Sequence, residues 1–227
     1  MEDILTLLSG CRLFSPLTPQ QLQQYVLPLG RLRQLEKGQL LLAPQQKLEQ
    51  FGIVLEGRLQ TIHLFADGSY SLISTTRPGN VFAADLMSTR SRISPYHAVA
   101  AADSRVFFLP VELITEAGLL PPELRIPVLE QLLLLVADHN MQKDYQLAIL
   151  SQKGLRQRIM TYLTMQAKRK KTNTFRIPFD REELASFLCV NRSALSHELS
   201  LLQQEGVLRF KKDTFTLLEE PGTPEET

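Results

Sequence analysis

The chain has 227 residues, is 44% hydrophobic and carries a formal net charge of +1, so it can bury a substantial core and is long enough for two domains of unequal size. No apolar run approaches the ~18 residues of a membrane span, and the first residues lack the basic start of an export signal, so we expect a cytosolic protein. Two distant cysteines, Cys11 and Cys189, argue against a zinc site or an iron-sulfur cluster, and we expect no metal and no cofactor.

The N-terminal half predicts a short helix followed by a β-sandwich, and we assign residues 1–121 to this domain. Thr18 is a candidate helix cap, and Gly30 ends the helical pattern that follows it. Beyond residue 31, short apolar runs are broken at regular intervals by turn residues, a pattern typical of an antiparallel sandwich or barrel. The breaks lie at Glu56-Gly57, Asp67-Gly68, Pro78-Gly79-Asn80 and Asp103-Ser104.

A long helix is predicted to begin near Glu123, and we treat residues 122–150 as a dimerisation helix. Apolar side chains recur along it in alternating steps of four and three residues, as in a two-stranded coiled coil. We therefore expect a homodimer, in which Asn140 fixes the register of the two helices. The alternative is a single helix that packs on its own sandwich. Dimer formation and this packing can occur together if the helix is apolar around most of its circumference. The expected dimer seam consists of Leu129, Leu133, Val136, Asn140, Leu147 and Leu150.

The C-terminal region, residues 151–218, contains two short helical patterns separated by a brief break. Ser151 is the expected cap of an earlier helix. Asp180 and Glu183 have the spacing of a capping box, and Asn191 is placed to cap the second short helix. Two short helices joined by a tight turn predict a helix-turn-helix, whose second helix contacts base edges in the DNA major groove. The outward side of that helix carries Arg192, Ser193, Ser196 and His197.

The segment after Gly206 alternates like a two-stranded β-ribbon with Lys211 and Lys212 at its tip, as in a wing that contacts phosphates. Basic charge is concentrated in this part of the chain. Residues 147–218 hold 13 basic and 6 acidic side chains, whereas residues 1–146 hold 12 and 14. This asymmetry favours a polyanionic partner such as double-stranded DNA. The acidic tail, residues 219–227, is expected to be disordered.

The order of a sandwich, a long helix, a helix-turn-helix and a wing resembles the Crp/Fnr family of bacterial transcription regulators. The resemblance covers nearly all of residues 5–218 and is strongest at REELASFLCVNRSALSHELSLLQQEGVL, which begins at Arg181. It implies an α+β fold with an N-terminal sandwich of the double-stranded jelly-roll type, a central dimerisation helix and a C-terminal winged helix-turn-helix. It also implies a homodimer that binds a two-fold DNA site and senses a signal through its N-terminal domain.

The resemblance also implies which residues contact DNA. Family members often carry an arginine where His197 stands and an acid where Ser193 stands, so the half-site is expected to differ from the best-known one. Cys189 stands where a glycine is usual in the turn, and Glu198 where an apolar residue is usual. The expected DNA contacts are Asn191, Arg192, Ser193, Ser196, His197, Lys211 and Lys212.

The sensor site departs from the cyclic-nucleotide binders of that family. Those members hold the ribose with a Gly-Glu pair and the cyclic phosphate with an Arg-Ser or Arg-Thr pair, whereas Ala83-Ala84 and Ser94-Pro95 stand here. Because an unpaired buried phosphate is very costly, this difference favours another effector or none. A shift of the alignment by two residues would instead bring Arg92 to the phosphate. The expected effector pocket is lined by Asp85, Arg90, Arg92, Tyr96 and His97.

Two other sensor types of the family are disfavoured by the residues present. The cluster-binding, oxygen-sensing branch needs several N-terminal cysteines, and Cys11 stands alone there. Haem ligation would need a histidine in the sandwich or the long helix. We interpret His63, His97 and His139 as surface or packing residues instead.

These features predict a sequence-specific transcription regulator that binds a palindromic operator as a homodimer, either constitutively or under control of an unidentified small molecule. Its expected partners are double-stranded DNA, a second copy of the chain and RNA polymerase. The alternative is a signal-binding scaffold module whose C-terminal hairpin binds protein, a role that does not require the basic charge of residues 147–218. The sequence has no paired carboxylates, nucleophile elbow, phosphate loop or metal-ligand spacing that would indicate an enzyme.

Overall fold

The computed structural model describes residues 2–218, which form two compact units that divide between Gln142 and Lys143. The division falls inside one long helix, so each unit contains part of it. The domain boundaries expected from the sequence, at residues 121 and 150, stay a prediction. The acidic tail that was expected to be disordered lies outside the described residues. Within residues 2–218, no helix is both long enough and apolar enough to cross a membrane.

The first unit begins with short helical segments and continues as a β-sandwich. Thr18 does cap a helix, because its hydroxyl accepts a hydrogen bond from the Gln21 N–H at 3.3 Å. The helical segments are α1 (Glu2–Gly10), a 3₁₀ turn (Arg12–Phe14), α2 (Pro19–Gln21), a π turn (Leu22–Val26) and a 3₁₀ turn (Leu27–Leu29). The strands are β1 (Arg31–Leu35), β2 (Leu40–Leu42), β3 (Gln50–Glu56), β4 (Leu59–Leu64), β5 (Tyr70–Thr76), β6 (Val81–Phe82), β7 (His97–Ala100) and β8 (Ser104–Pro110).

The strands form two antiparallel sheets in the orders β1-β8-β3-β6 and β2-β7-β4-β5, which confirms the predicted sandwich. The expected turn residues separate the strands. Gly57 shows why one of them must be glycine: it has a φ of +78°, and a Cβ at this position would lie 2.3 Å from the Asp103 carbonyl oxygen. The β3–β4 turn and the β7–β8 turn therefore touch through the bare backbone of Gly57.

Three further helices complete the first unit, and the longest continues into the second. They are α3 (Ala84–Met87), α4 (Glu112–Thr115) and α5 (Pro122–Leu150). Along α5, Val128, Leu132 and Leu135 are buried in the core of the sandwich. These residues repeat at intervals of three and four, so they lie on one face of the helix.

The second unit combines the end of α5 with helices and a small sheet. Its elements are α6 (Leu155–Lys170), β9 (Thr174–Arg176), α7 (Arg181–Phe187), α8 (Arg192–Gln204), β10 (Leu208–Lys211) and β11 (Thr214–Leu217). The β10–β11 ribbon was predicted, but β9 was not, and it adds a third strand in the order β10-β11-β9. The apolar core of this unit lies between α6, α7, α8 and the sheet.

The prediction that Ser151 caps α6 is wrong. Gly154 precedes α6, and no side chain caps that helix. The Ser151 hydroxyl instead donates a hydrogen bond to the Ala148 carbonyl at 2.9 Å, and the Ser151 N–H bonds to Leu147. Ser151 therefore closes the last turn of α5, because a serine at a helix end can bond backward as well as forward.

Candidate nucleic-acid interface

Helix α7 begins with the capping box that the sequence predicted. The Asp180 carboxylate accepts hydrogen bonds from the N–H groups of Glu182 at 3.0 Å and Glu183 at 2.9 Å. The Glu183 carboxylate accepts one in return from the Asp180 N–H at 2.9 Å. Because three backbone donors at the helix end are satisfied by these two carboxylates, the start of α7 is fixed.

A tight turn at Cys189 joins α7 to α8. Cys189 has a φ of +55°, in the left-handed region that favours glycine. The unusual cysteine therefore adopts the backbone conformation that a glycine would supply, and the helix-turn-helix geometry is retained. The side chain of Cys189 is exposed, and the thiol of the other cysteine, Cys11, is buried.

Helix α8 is capped by Asn191, as predicted. The side-chain oxygen of Asn191 accepts hydrogen bonds from the Ala194 N–H at 2.7 Å and from the Ser193 hydroxyl at 2.9 Å. Leu195, Leu199 and Leu202 are all completely buried, so the inward face of α8 is held by apolar packing. The amide donors of Asn191 are the part of its side chain left for an external partner.

The outward face of α8 carries the residues expected to contact DNA. Asn191, Arg192, Ser193 and His197 are exposed, and Ser196 is half-buried. Arg192 and His197 lie five positions apart near the N-terminal end of the helix. This placement matches that of a recognition helix, whose N-terminal residues contact base edges.

The wing is the β10–β11 hairpin, with Lys212 and Asp213 in its turn. Lys211 and Lys212 are exposed at the tip, as predicted. Arg176 of β9 is paired with Asp213, and the hydrogen bond from Arg176 lowers the pKa of the Asp213 carboxyl. The pair fastens the third strand to the wing tip.

Arg181, at the start of α7, links the helix-turn-helix to the wing. Its guanidinium lies 4.9 Å from the centre of the Phe210 ring and donates a hydrogen bond to the Lys212 carbonyl at 3.3 Å. Burial lowers the pKa of Arg181, and the positive charge of Arg192 lowers it further. A like charge nearby disfavours the charged form of a guanidinium. The spacing of residues does not reveal the role of Arg181, because its partners lie about 30 residues away along the chain.

The unusual Glu198 has a partner in the structure. Arg156 of α6 lies 3.9 Å from the Glu198 carboxylate and forms a shorter ion pair with Glu205. The hydrogen bond from Arg156 lowers the pKa of Glu205. A salt-bridged network therefore replaces the usual apolar contact on this side of α8.

Of the residues expected to line an effector pocket, Asp85 and Tyr96 lie close together. The Tyr96 hydroxyl lies 3.5 Å from an Asp85 oxygen. Burial raises the pKa of Tyr96, and the negative charge of Asp85 raises it further. Arg92 is paired with Glu112 at 3.2 Å. Arg90 is exposed, and His97 is half-buried in β7. Arg92, which a shifted alignment would bring to a cyclic phosphate, is therefore already paired with a carboxylate.

The described residues contain no cluster of metal-ligating side chains. His63 lies exposed on β4, and His139 is half-buried on α5. His97, the third candidate for haem ligation, belongs to β7. The three histidines stand on separate elements.

The residues of the expected dimer seam have two different environments on α5. Leu133 is 69% exposed and Leu147 is 67% exposed, whereas Leu129 and Val136 pack partly against the core of their own sandwich. Asn140 is exposed, and Leu150 is half-buried. Other large apolar side chains exposed on α5 are Ile126, Leu134, Met141 and Tyr145. The seam stays a prediction, and the exposed apolar side chains of α5 include Leu134 and Met141 as well as members of that seam.

Each of the two units matches a known protein family. Residues 32–117 match the family "Cyclic nucleotide-binding domain", and residues 157–222 match the "Crp-like helix-turn-helix domain". The chain belongs to the Crp/Fnr family. It is a Crp/Fnr-type transcription regulator with a helix-turn-helix DNA-binding domain.

Among curated proteins, the transcriptional activator protein FnrA of Stutzerimonas stutzeri is 25% identical over 197 residues, 85% of this chain and 78% of that protein. The global nitrogen regulator of Synechococcus elongatus is 24% identical over 60% of each chain. Among solved structures of the Crp/Fnr fold, FixK2 from Bradyrhizobium japonicum has a TM-score of 0.64 at 19% identity, over 84% of this chain and 93% of that one. The c-di-GMP-responsive regulator CLP from Xanthomonas campestris has a TM-score of 0.67 at 15% identity, over 89% and 100%.

Proposed function

We propose that this Crp/Fnr regulator acts in the cytoplasm as a homodimer that binds a palindromic operator, reading bases with α8 and phosphates with the wing. One observation carries the proposal: Arg192 and His197 are exposed on the outward face of α8, while other residues cap and bury that helix. A polar, cationic face with no role in the fold is what direct base readout requires. Lys211 and Lys212 supply charge for the phosphate backbone.

Homodimer formation is supported by the apolar face of α5. Leu133, Leu134, Met141 and Leu147 are each at least 49% exposed, and large exposed apolar surfaces on a helix are costly in water. A second α5 would cover this face as in a two-stranded coiled coil, with Asn140 setting the register. Each copy then presents one α8, and the pair fits two half-sites related by two-fold symmetry.

We further propose that the signal is not a cyclic nucleotide. The ion pair between Arg92 and Glu112 supports this, because a buried phosphate needs a charge-assisted partner and Arg92 is already engaged. A different small molecule or constitutive DNA binding is compatible with these residues. RNA polymerase is the partner through which such a regulator would act.

The experiment that tests this function is selection of bound fragments from random duplex DNA with the purified chain. Selected fragments should share a two-fold motif with half-site centres about one helical turn, ~34 Å, apart. Affinity for the selected site should fall steeply with salt, and a scrambled duplex of equal length should bind at least ~10³-fold more weakly. Recovery of unrelated fragments would refute base readout and favour a scaffold whose hairpin binds protein.

A further inference from the structure

The end of α6 carries a cluster of basic residues that follow one another in the chain. They are Lys168, Arg169, Lys170 and Lys171, and all are exposed. Among residues 2–218, none of the four forms an ion pair with a carboxylate. Cations in the last turn of a helix interact favourably with its dipole, but one or two are enough for that effect. Four adjacent charges that no acid neutralises raise the local potential and attract an anion.

This cluster adjoins the tip of the wing. The Lys170 ammonium donates a hydrogen bond to the Arg176 carbonyl. Arg176 pairs with Thr214 across the sheet, and its guanidinium forms an ion pair with Asp213 in the wing turn. The residue before Asp213 is Lys212. The end of α6 and the wing tip are thus linked into one basic strip, which consists of residues 168–171, Arg176, Lys211 and Lys212.

Two lysines of the basic strip occupy backbone positions that favour glycine. Lys171 has a φ of +53° and Lys212 a φ of +56°, both in the left-handed region. A residue with a Cβ is disfavoured there, because the Cβ crowds the following carbonyl oxygen. Both positions carry a lysine despite this cost, and such strain at an exposed position points to a role for the side chain.

The cluster is at the end of α6 that lies away from α5. Helix α5 ends at Leu150 and α6 begins at Leu155. Sixteen residues of α-helix are about 24 Å long. In the proposed dimer α5 lies at the two-fold axis, so a distance of this size from its end favours contact with DNA outside the half-site over DNA near the axis.

We propose that the basic strip binds the phosphates of the duplex DNA that flanks the operator, beyond the base pairs read by α8. This inference rests on the proposed function and extends it: α8 selects the sequence, and the strip determines how much DNA on either side is bound. Duplex DNA suits the strip because it presents one charge per ~1.7 Å of its axis in every sequence. The strip also includes Lys211 and Lys212, the lysines proposed to contact phosphates at the operator.

The flanking contact is tested with the selected operator in two duplexes, one that ends at the motif and one that extends about 10 base pairs beyond it on each side. The full chain should bind the longer duplex at least ~10-fold more tightly, with a salt slope steeper by about 2 to 4, because counterion release scales with the phosphates contacted. K168Q/K171Q should lose most of this gain and should bind the short duplex within about twofold of the unaltered chain. Lys170 is left in place because it bonds to the Arg176 carbonyl.

The matched control is K37Q/K47Q, which removes two exposed lysines of the sandwich and should keep the gain from the longer duplex. Losses in K168Q/K171Q that are equal on both duplexes, or absent from both, would overturn the proposal. Loss of transcriptional regulation with unchanged DNA binding would also overturn it and would assign the strip to an acidic protein surface. A chain that binds both lengths equally refutes only the flanking contact, whereas a chain that selects no operator refutes the proposed function.

Lys171→Gly separates the charge of this residue from a structural role. Glycine is the usual residue in a left-handed position at the end of a helix, so the Tm should rise by a few degrees. Affinity for the longer duplex should nevertheless fall roughly threefold or more, because one phosphate contact is lost from each subunit. A fall in Tm would show that Lys171 serves the fold, and a rise in Tm with unchanged affinity would show that its charge is not used. Either result would overturn the proposal.

Discussion

Arg92 and Glu112 form an ion pair in which the guanidinium Nη1 lies 3.2 Å from the carboxylate Oε1. Arg92 has a φ of +54°, and its N–H donates a hydrogen bond to the Thr89 hydroxyl at 3.1 Å. The loop is thus held in a left-handed conformation that non-glycine residues adopt only when their surroundings impose it. The arginine that a shifted alignment would bring to a cyclic phosphate is already neutralised by a carboxylate of α4.

We therefore expect cyclic AMP and cyclic GMP not to bind. A ligand at 100 times its Kd would stabilise the folded state by about 2.7 kcal/mol, which a thermal melt detects easily. Neither nucleotide at millimolar concentration should shift the Tm or the DNA affinity. A shift that disappears in Arg92→Ala would show that the ion pair opens and that the shifted alignment is correct.

The apolar face of α5 gives a direct test of assembly. Leu133→Asp places a carboxylate on the exposed face and should yield monomers in sedimentation, with most operator affinity lost. Leu133 is 69% exposed in the single chain, so the monomer should stay folded. Val136 is a poorer choice because it packs partly against the sandwich core. Gln142→Asp, on an exposed polar position of the same helix, should remain dimeric; monomers from both variants would argue against a defined interface.

Base readout and phosphate contact should respond differently to substitution. His197→Ala and Arg192→Ala should each cost roughly 1 to 3 kcal/mol on the selected operator and relax the preference at one base pair. Lys211→Ala should weaken all sequences alike and reduce the salt slope by about one. Competition binding with single-base operator variants separates the two patterns. Identical losses on operator and random duplex for all three changes would contradict the assignment of α8 to base readout.

The backbone conformation of the turn residue Cys189 leads to a prediction about the free energy of unfolding. Its φ of +55° is unfavourable for any residue with a Cβ, so Cys189→Gly should raise the unfolding free energy of the second unit by about 1 kcal/mol. Cys189→Val should lower it by a similar or larger amount, because β-branched residues tolerate this region least. Urea unfolding followed by circular dichroism measures both. A loss of stability in Cys189→Gly would mean that the thiol makes a contact worth more than the backbone strain.

Two buried tyrosines give a prediction for alkaline pH. Burial raises the pKa of both Tyr96 and Tyr162 above the ordinary value near 10. The folded state therefore favours the neutral phenols, so their contribution is present below about pH 10 and is lost as the pH rises toward the higher folded values. Absorbance titration should find that two of the five tyrosines ionise only when the protein unfolds. Ionisation of all five in the folded protein would contradict the burial.

Much of the DNA-binding half could be predicted because its signals are local. Asp180, Glu183 and Asn191 each bond to a backbone group two or three residues away, a range over which sequence spacing determines geometry. The sandwich turns were predictable for the same reason, since each is a short run of turn residues between apolar strands.

The features that could not be predicted depend on distant partners. Strand β9 has only three residues, and its pairing with β11 lies about 40 residues away along the chain. Arg181 contacts Phe210 of the wing, and Arg156 contacts Glu198 and Glu205, none of which spacing can reveal. Ser151 was misassigned because a serine between two helices can either cap the helix that follows or bond back to the helix that precedes it. In the structure its hydroxyl bonds back to the Ala148 carbonyl.

Along α8, the residues that cap and bury the helix differ from those expected to contact DNA. This difference has a consequence for how operators change during evolution. Asn191 caps the helix, and Leu195, Leu199 and Leu202 bury it, whereas the side chains of Arg192 and His197 are exposed and form no hydrogen bond or ion pair within residues 2–218. Exposed positions free of structural duties tolerate substitution at little cost in stability, usually within about 0.5 kcal/mol. If α8 reads bases as proposed, mutations at Arg192 and His197 would retarget the regulator to new promoters one base pair at a time, and a designer who wishes to recode this protein would vary those two positions while keeping its scaffold unchanged.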